Sequence, residues 1–428
     1  MLFEKITLID ENAEIKNDMY VGTEGERIAY VSDVCPKKDY GERISGKNKL
    51  LVNGWFNCHT HLPMTLLRGY AENLKLQDWL HTKVFPFESK MNEEDVYYAA
   101  LLGIAEMFRF GTVSASDMYF HPLSILEAAK NAGIKLNLCT GTTQFGDGGL
   151  AENKNFNEEL DLHERCRKFA DEKIKADFSL HSEYITTERV AKELGDYLSD
   201  KNEIVHIHVS ETKKEVEDCI ARHGLTPPEY LEKCGIMNAK VNAAHSVWLK
   251  ESDFDIYKNY GVTAVHNPMS NLKLGSGFAK IEKMIKMGIN VAIGTDGVAS
   301  NNNFNLLEDL RFAAIMHNPT NEFADVVSPK ELIKIGTLNG AKAQGRDDCG
   351  VIKVGNKADF AIYDLNEVSM KPVHNLLNNF IYSMPSGAVL QTVVDGKIVY
   401  DNGKFATIDI DFVSQKVEQS RKRILSEL

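Results

Sequence analysis

The chain lacks the marks of several protein classes. Across 428 residues, no uninterrupted apolar run approaches the roughly 18 residues that cross a bilayer. The opening "MLFEKITLIDENAEIKNDMY" has neither the basic start nor the apolar centre of a secretion signal. Seven cysteines occur (Cys35, Cys58, Cys139, Cys166, Cys219, Cys234 and Cys349), odd in number and widely scattered. None forms C-x-x-C, which argues against a disulfide framework and against a cysteine zinc site. A reducing cytoplasm is the expected setting. No G-x-G-x-x-G follows an apolar run, as a dinucleotide-binding open sheet would require. Positive charge is also short: 49 Lys and Arg against 61 Asp and Glu leave a net charge of −12. Neither nucleic acid nor a membrane is an expected partner, and a homo-oligomer is left open. With 43% hydrophobic and 26% charged residues, the composition is that of a soluble globular protein.

What is present is an alternation. Short β-like apolar runs recur at "LLVNGWFNC" before His59, "GTVSASDM" from Gly111, "KLNLCTG" from Lys135 and "ADFSLH" from Ala176. They continue at "IVHIHVSE" from Ile204, "VNAAHS" from Val241, "VTAVHN" from Val262 and "VAIGTD" from Val291. Between them lie segments of helical period ended by glycine, such as "SILEAAKNAG" and "FAKIEKMIKMG". Eight strands alternating with helices predict an α/β fold, a (β/α)8 TIM barrel over residues 54–347.

The two ends read differently. Residues 1–53 hold alternating stretches such as "KITLID" and "RIAYVSD". Residues 348–428 hold "CGVIKVGNKADFAIYDL" and "LQTVVDGKIVYDNGKF", with Asp-Gly and Asn-Gly turn signals. These segments are expected to pair into one small, discontinuous β-sandwich domain with a structural role. The final "FVSQKVEQSRKRILSEL" predicts an amphipathic helix packed on the outside.

Reactive groups in such barrels sit at the carboxyl ends of the strands. Here His59 and His61 follow strand one, His181 ends strand four, and His208 with Glu211 ends strand five. His245 ends strand six, His266 strand seven and Asp296 strand eight. Any one of these could be a hydrogen-bonded histidine or a helix-capping aspartate; six strands of eight ending this way point to a shared site. In "GWFNCHTHLPMTLLRG", His59 and His61 are two residues apart, so both can face the barrel axis. Two neutral imidazoles, with one more histidine and a carboxylate from other strands, suit one divalent transition metal. Zinc is favoured by its affinity for imidazole, with iron and manganese as alternatives. Asp296, His245 and Glu211 supply candidates for the acid and base work that such a centre needs.

"HTHLPMTLLRG", "HVSE", "AAHSVWL", "HNPMSNLKLGSG" and "GTDGVASNNN" resemble successive motifs of the mononuclear amidohydrolase superfamily. They are most similar to its methylthioadenosine/S-adenosylhomocysteine deaminases and the neighbouring chlorohydrolase-like aminohydrolases. The resemblance runs nearly the whole chain, through "GNKADFAIYD" and "VVDGKIVYDNGKF". It implies metal ligands His59, His61, His208 and Asp296, a proton shuttle at Glu211, and activation of hydroxide by His245 and Asp296. It further implies that Trp79 packs against the base while Glu88 and His181 hold the ribose hydroxyls. The expected activity is hydrolytic deamination of the adenine ring of a nucleoside, with an aminated pterin, guanine-like base or s-triazine as the alternative substrate. A barrel that merely binds a purine-like ligand is opposed by the joint presence of all these groups. The strand-four end reads "SLHSE", without the bridging lysine of two-metal relatives, and the P-C-x-x-C of cytidine-type deaminases is absent.

Two departures bear on substrate. Glu183 stands where the family usually has proline; it either adds a carboxylate near the ribose end or turns outward. In members that accept S-adenosylhomocysteine, the resemblance implies arginines after strand three. "CTGTTQFGDGGLAENKN" has none, and Lys154 is its nearest cation. An unpartnered carboxylate drawn out of water costs several kcal/mol, so neutral 5′-substituents are expected. Of the remaining histidines, His206 reads as a buried layer below the metal and His266 as a supporting or structural residue. His163, His223 and His317 are expected on the surface.

Overall fold

The computed structural model describes residues 1–74, 76–169, 172–318, 324 and 326–428. Eight parallel strands occupy the predicted runs: Trp55–Thr60, Thr112–Met118, Lys135–Cys139, Ile174–Ala176 continued by Phe178–Ser179, Ile204–Val209, Lys240–His245, Thr263–His266 and Asn290–Ile293. Strands one to four form one ladder, and the Phe178–Ser179 segment with strands five to eight forms another. Asp177 bridges the two halves of strand four, its N–H donating to Leu138 O at 3.0 Å. The ring closes between strands eight and one: Asp296 N–H donates to His59 O at 2.9 Å, and Asn57 and Thr295 exchange side-chain hydrogen bonds. The strands are buried nearly throughout, as parallel strands covered by helices must be.

Glycine is required where strand eight meets strand one. A Cβ on Gly294 would lie 2.7 Å from His59 Cβ and 2.5 Å from Asn267 Oδ1, so any side chain there would push His59 off the barrel axis.

The terminal segments pair directly with each other. Lys49–Asn53 runs antiparallel to Phe360–Asp364, with Leu51 opposite Ile362. Hydrogen bonding joins nine strands from both ends of the chain into one continuous sheet, with its own apolar core around Phe3, Val21, Leu51, Phe360 and Val393. Its hairpins turn at Asp395-Gly396 and Asn402-Gly403, all four residues at positive φ, as a two-residue primed turn demands. The last helix, Ile410–Ser426, packs on Glu93–Arg109, and Arg423 Nη2 donates to Lys90 O at 3.0 Å. Among the described residues, no helix is long and apolar enough to cross a membrane.

Candidate metal centre and substrate cavity

The strand ends bring five ionisable side chains to one point. The ring of His59 lies 4.9 Å from that of His61 and 4.8 Å from that of His208, centroid to centroid. Asp296 Oδ1 is 3.3 Å from His61 Nε2 and 3.6 Å from His59 Nε2. Ligand-capable atoms of His59, His61 and Asp296, and of His59, His208 and His245, fall within 4.8 Å of one another. All are buried or nearly so.

Each imidazole is aimed by its other nitrogen. His61 Nδ1 meets Met118 O at 2.6 Å and His208 Nδ1 meets His181 O at 2.7 Å. His59 Nδ1 meets His206 Nε2 at 2.8 Å, and His245 Nδ1 meets Asn271 Oδ1 at 2.8 Å. These contacts leave the Nε2 atoms of His59, His61 and His208 for the centre, the arrangement in which outer partners set the tautomer of a metal-binding histidine. A cation fits this set by a direct test: His59 Nε2 is fully buried and has no hydrogen-bond partner. Burial lowers the pKa of His59 to about 4, and that of His208 well below its usual value, so both rings are neutral near pH 7 with lone pairs free. Burial pushes the Asp296 carboxyl upward. The adjacent rings of His59, His61 and His245 outweigh it and hold the group well below the carboxylate range.

The acid and base candidates are equally constrained. Asp296 Oδ2 accepts from Ser270 Oγ at 2.6 Å and Ser300 Oγ at 3.2 Å, while Oδ1 accepts from Gly297 N–H at 2.7 Å. Glu211 Oε2 lies 3.9 Å from His245 Nε2, and Ser276 Oγ donates to Glu211 Oε1 at 3.2 Å. Burial raises the Glu211 pKa, which favours a proton-carrying form. The backbone here is left-handed at Ser210 (φ 53°), His245 (φ 73°), Ser246 (φ 51°) and Asp296 (φ 63°). Such residues cost on the order of 1–3 kcal/mol each and cluster where a side chain must be aimed against local preference.

A cavity of about 540 Å3 opens from this floor, and Trp79, Glu88, His181, Glu211, His245 and Asp296 all line it. Trp79 is buried, its indole N–H donating to Ala71 O at 3.0 Å. Tyr119 Oη donates to Glu88 Oε1 at 2.5 Å, and burial raises the Glu88 pKa to about 7. Glu183 turns away from the cavity: Arg222 Nη2 donates to its Oε1 at 2.6 Å. His206 is buried beneath His59 and contacts it directly. Two surface expectations fail. His163 is buried and stacks on Phe178 at 4.1 Å, because it shares one helical face with Phe156, Glu159 and Leu162. His317 is buried beside His266 and Glu282, after the inward face of helix Leu306–Ile315. His223 is partly covered by Tyr230.

Several participants escaped the sequence reading. Tyr119 and Asn271 gave no periodic or spacing signal of their own. Glu215 did: Thr212-x-x-Glu215 is a capping box, and its carboxylate accepts from the N–H groups of Ser210 (2.6 Å) and Glu211 (2.8 Å), fixing the turn that presents Glu211.

An eight-stranded barrel with buried imidazoles and a carboxylate converging at its carboxyl end defines a candidate metallohydrolase. Residues 50–399 match the amidohydrolase family model, and the chain belongs to that family. Over 428 residues it is 36% identical to a 5-methylthioadenosine/S-adenosylhomocysteine deaminase of Thermoanaerobacter pseudethanolicus, covering 99% of each chain. It is 37% identical to a 5′-deoxyadenosine deaminase of Methanobrevibacter smithii, over 95% of this chain and 93% of that one. The crystal structure of an adenosine deaminase from Xanthomonas campestris with bound zinc superposes with a TM-score of 0.92 at 29% identity, over 99% of this chain and 98% of that one.

Proposed function

We propose that this chain hydrolytically deaminates the adenine ring of a nucleoside with a neutral 5′-substituent, releasing ammonia and the inosine-type product. The observation that carries the reading is the unpartnered Nε2 of His59, buried among His61, His208 and Asp296 at the floor of a cavity. Those four side chains would hold one divalent cation, and zinc suits three imidazoles and a carboxylate best. When bound, such a cation supplies Lewis acidity that brings the pKa of water to about 7.

The remaining work falls to the chain. Asp296 takes a proton from the attacking water, its Oδ2 held by the hydroxyls of Ser270 and Ser300. His245, oriented through Nδ1 by Asn271, holds the incoming oxygen on the side facing Glu211. Glu211 delivers a proton to the ring nitrogen next to the attacked carbon, and the amino group leaves as ammonia once protonated. Trp79 packs against the base, and Glu88 with His181 receives the ribose hydroxyls. Nucleosides with a 5′-carboxylate are disfavoured because, among the described residues, no lysine or arginine lines the cavity. Lys154 is 87% exposed and faces Glu158 instead.

Ammonia release from the purified enzyme tests this. Methylthioadenosine, 5′-deoxyadenosine and adenosine should each be turned over at least about tenfold more efficiently than S-adenosylhomocysteine. Guanine, pterins and s-triazines should be inert. Metal analysis should return about one equivalent per chain. Ammonia from guanine or a triazine alone would replace the substrate assignment, and two equivalents of metal would overturn the single-ion centre.

A further inference from the structure

The cavity changes character from floor to mouth. Its floor is polar and closed, with His245, Glu211 and Asp296 at most 7% exposed. Outward, the wall becomes apolar through Leu80, Val84, Phe120 and Ile185. Two rings at the rim stand largely in solvent, Phe85 at 44% and Phe145 at 78% exposure. A lone exposed phenyl group needs no explanation, but two that continue an apolar cavity wall outward form a surface waiting for apolar contact.

Phe145 is held there by design of its loop. Gln144 N–H donates to Ile185 O at 3.0 Å, Asn153 Nδ2 donates to Thr143 O at 2.7 Å, and Arg189 Nη1 donates to Asp147 O at 3.0 Å. The backbone on both sides of Phe145 is thus fixed to neighbouring elements, while the ring packs on little of the protein itself. Gly146 at φ 86° makes the turn that follows it.

Under the proposed function, the base meets the floor and Glu88 and His181 take the ribose, so the 5′-substituent is the part that reaches the rim. We infer that Phe145 and Phe85 select the 5′-substituent, and that the enzyme accepts nucleosides with bulky apolar 5′-groups, alkylthio and arylthio alike. The inference rests on the nucleoside reading and adds to it the residues that set specificity. Covering an exposed phenyl with an apolar group removes surface from water on both partners, a gain that a 5′-hydroxyl cannot supply.

The test is a comparison of kcat/KM ratios, which cancels differences in folded fraction. For the wild type, a 5′-arylthio nucleoside should be used at least as well as adenosine. Phe145→Ala should lower the arylthio-to-adenosine ratio about tenfold. Phe145→Lys should raise the S-adenosylhomocysteine-to-methylthioadenosine ratio about tenfold, since it brings an ammonium to the rim. Ratios within twofold of wild type in both variants would overturn the inference while leaving nucleoside deamination intact. Absence of turnover with every nucleoside would instead remove the underlying reading, and this inference with it.

Discussion

Where the barrel strands begin, Lys135 is buried between two carboxylates, its ammonium 2.5 Å from Asp359 Oδ1 and 2.6 Å from Asp395 Oδ1. Nearby, buried Arg346 spends its terminal nitrogens on Glu172 O, Lys173 O and Asn137 Oδ1. Where the strands finish, His59 Nε2 has no protein partner and the backbone is left-handed at four residues spread over the ends of strands five, six and eight. The starting end also carries a hollow of about 670 Å3, of the same order as the 540 Å3 cavity at the other end, lined by Lys135, Arg346, Lys357 and Asp395. Size does not identify the site. At the starting end, opposite charges neutralise one another and bind the sheet domain to the barrel. At the finishing end, polar atoms are gathered, strained and left with capacity for something else.

This contrast can be broken by substitution. The largest effect is expected from Lys135→Met, which strands Asp359 and Asp395 in the interior. Breaking a buried pair this way costs roughly 3–5 kcal/mol, read from urea unfolding, with kcat per folded molecule unchanged. A fall in kcat would show that the two ends are not independent. Asp296→Asn should do the reverse. Turnover should fall at least ~10²-fold, while stability stays within about 1 kcal/mol of wild type, because asparagine tolerates the left-handed φ of 63°. Unchanged turnover would remove Asp296 from proton transfer.

Next in size is His206→Ala, which frees the His59 ring. Losing such an outer partner weakens metal binding by about 10–100-fold, measurable by competition with a chelator, and His206→Gln should recover part of it. Equal affinity in all three proteins would make the His206 contact incidental. The smallest effect concerns Glu88. Its pKa is raised to about 7, so above that pH it is a carboxylate that can accept from Tyr119 and the substrate hydroxyls, and below it one acceptor is lost. KM for a nucleoside should therefore rise as pH falls through about 7, by roughly tenfold for the loss of a charge-assisted hydrogen bond. Glu88→Gln should flatten that slope, and an unchanged slope would point to a different titrating group.

The barrel was legible because each strand is a short apolar run followed by a helical period, and six of the eight end in an ionisable residue. The convergence of His59, His61, His208 and Asp296 followed from strand parity at His59 and His61 and from the family motifs. What was hidden depends on contacts between segments far apart in sequence. His163 was misplaced because one histidine among the charges of "DLHERCRKF" looks solvated until its helical face is counted from Phe156. Glu183 had two readings, and only the position of Arg222, 39 residues later, separates them. Tyr119 reaches Glu88, 31 residues earlier, and Asn271 reaches His245, 26 residues earlier, and no local pattern encodes such a partner. The continuous sheet of the terminal domain likewise depends on the pairing of Leu51 with Ile362.

That pairing has a consequence for biosynthesis. The strand Lys49–Asn53 leaves the ribosome about 310 residues before its neighbour Phe360–Asp364 exists. At synthesis rates of roughly 5–20 residues per second, the gap is on the order of 15–60 seconds. Throughout it, the nascent amino-terminal strands present an open edge and an apolar face that Phe360 and Val393 do not yet cover. The barrel is thus synthesised inside a bracket whose two halves can meet only after residue 360 is made, and an unpaired strand edge of this kind is aggregation-prone while it waits.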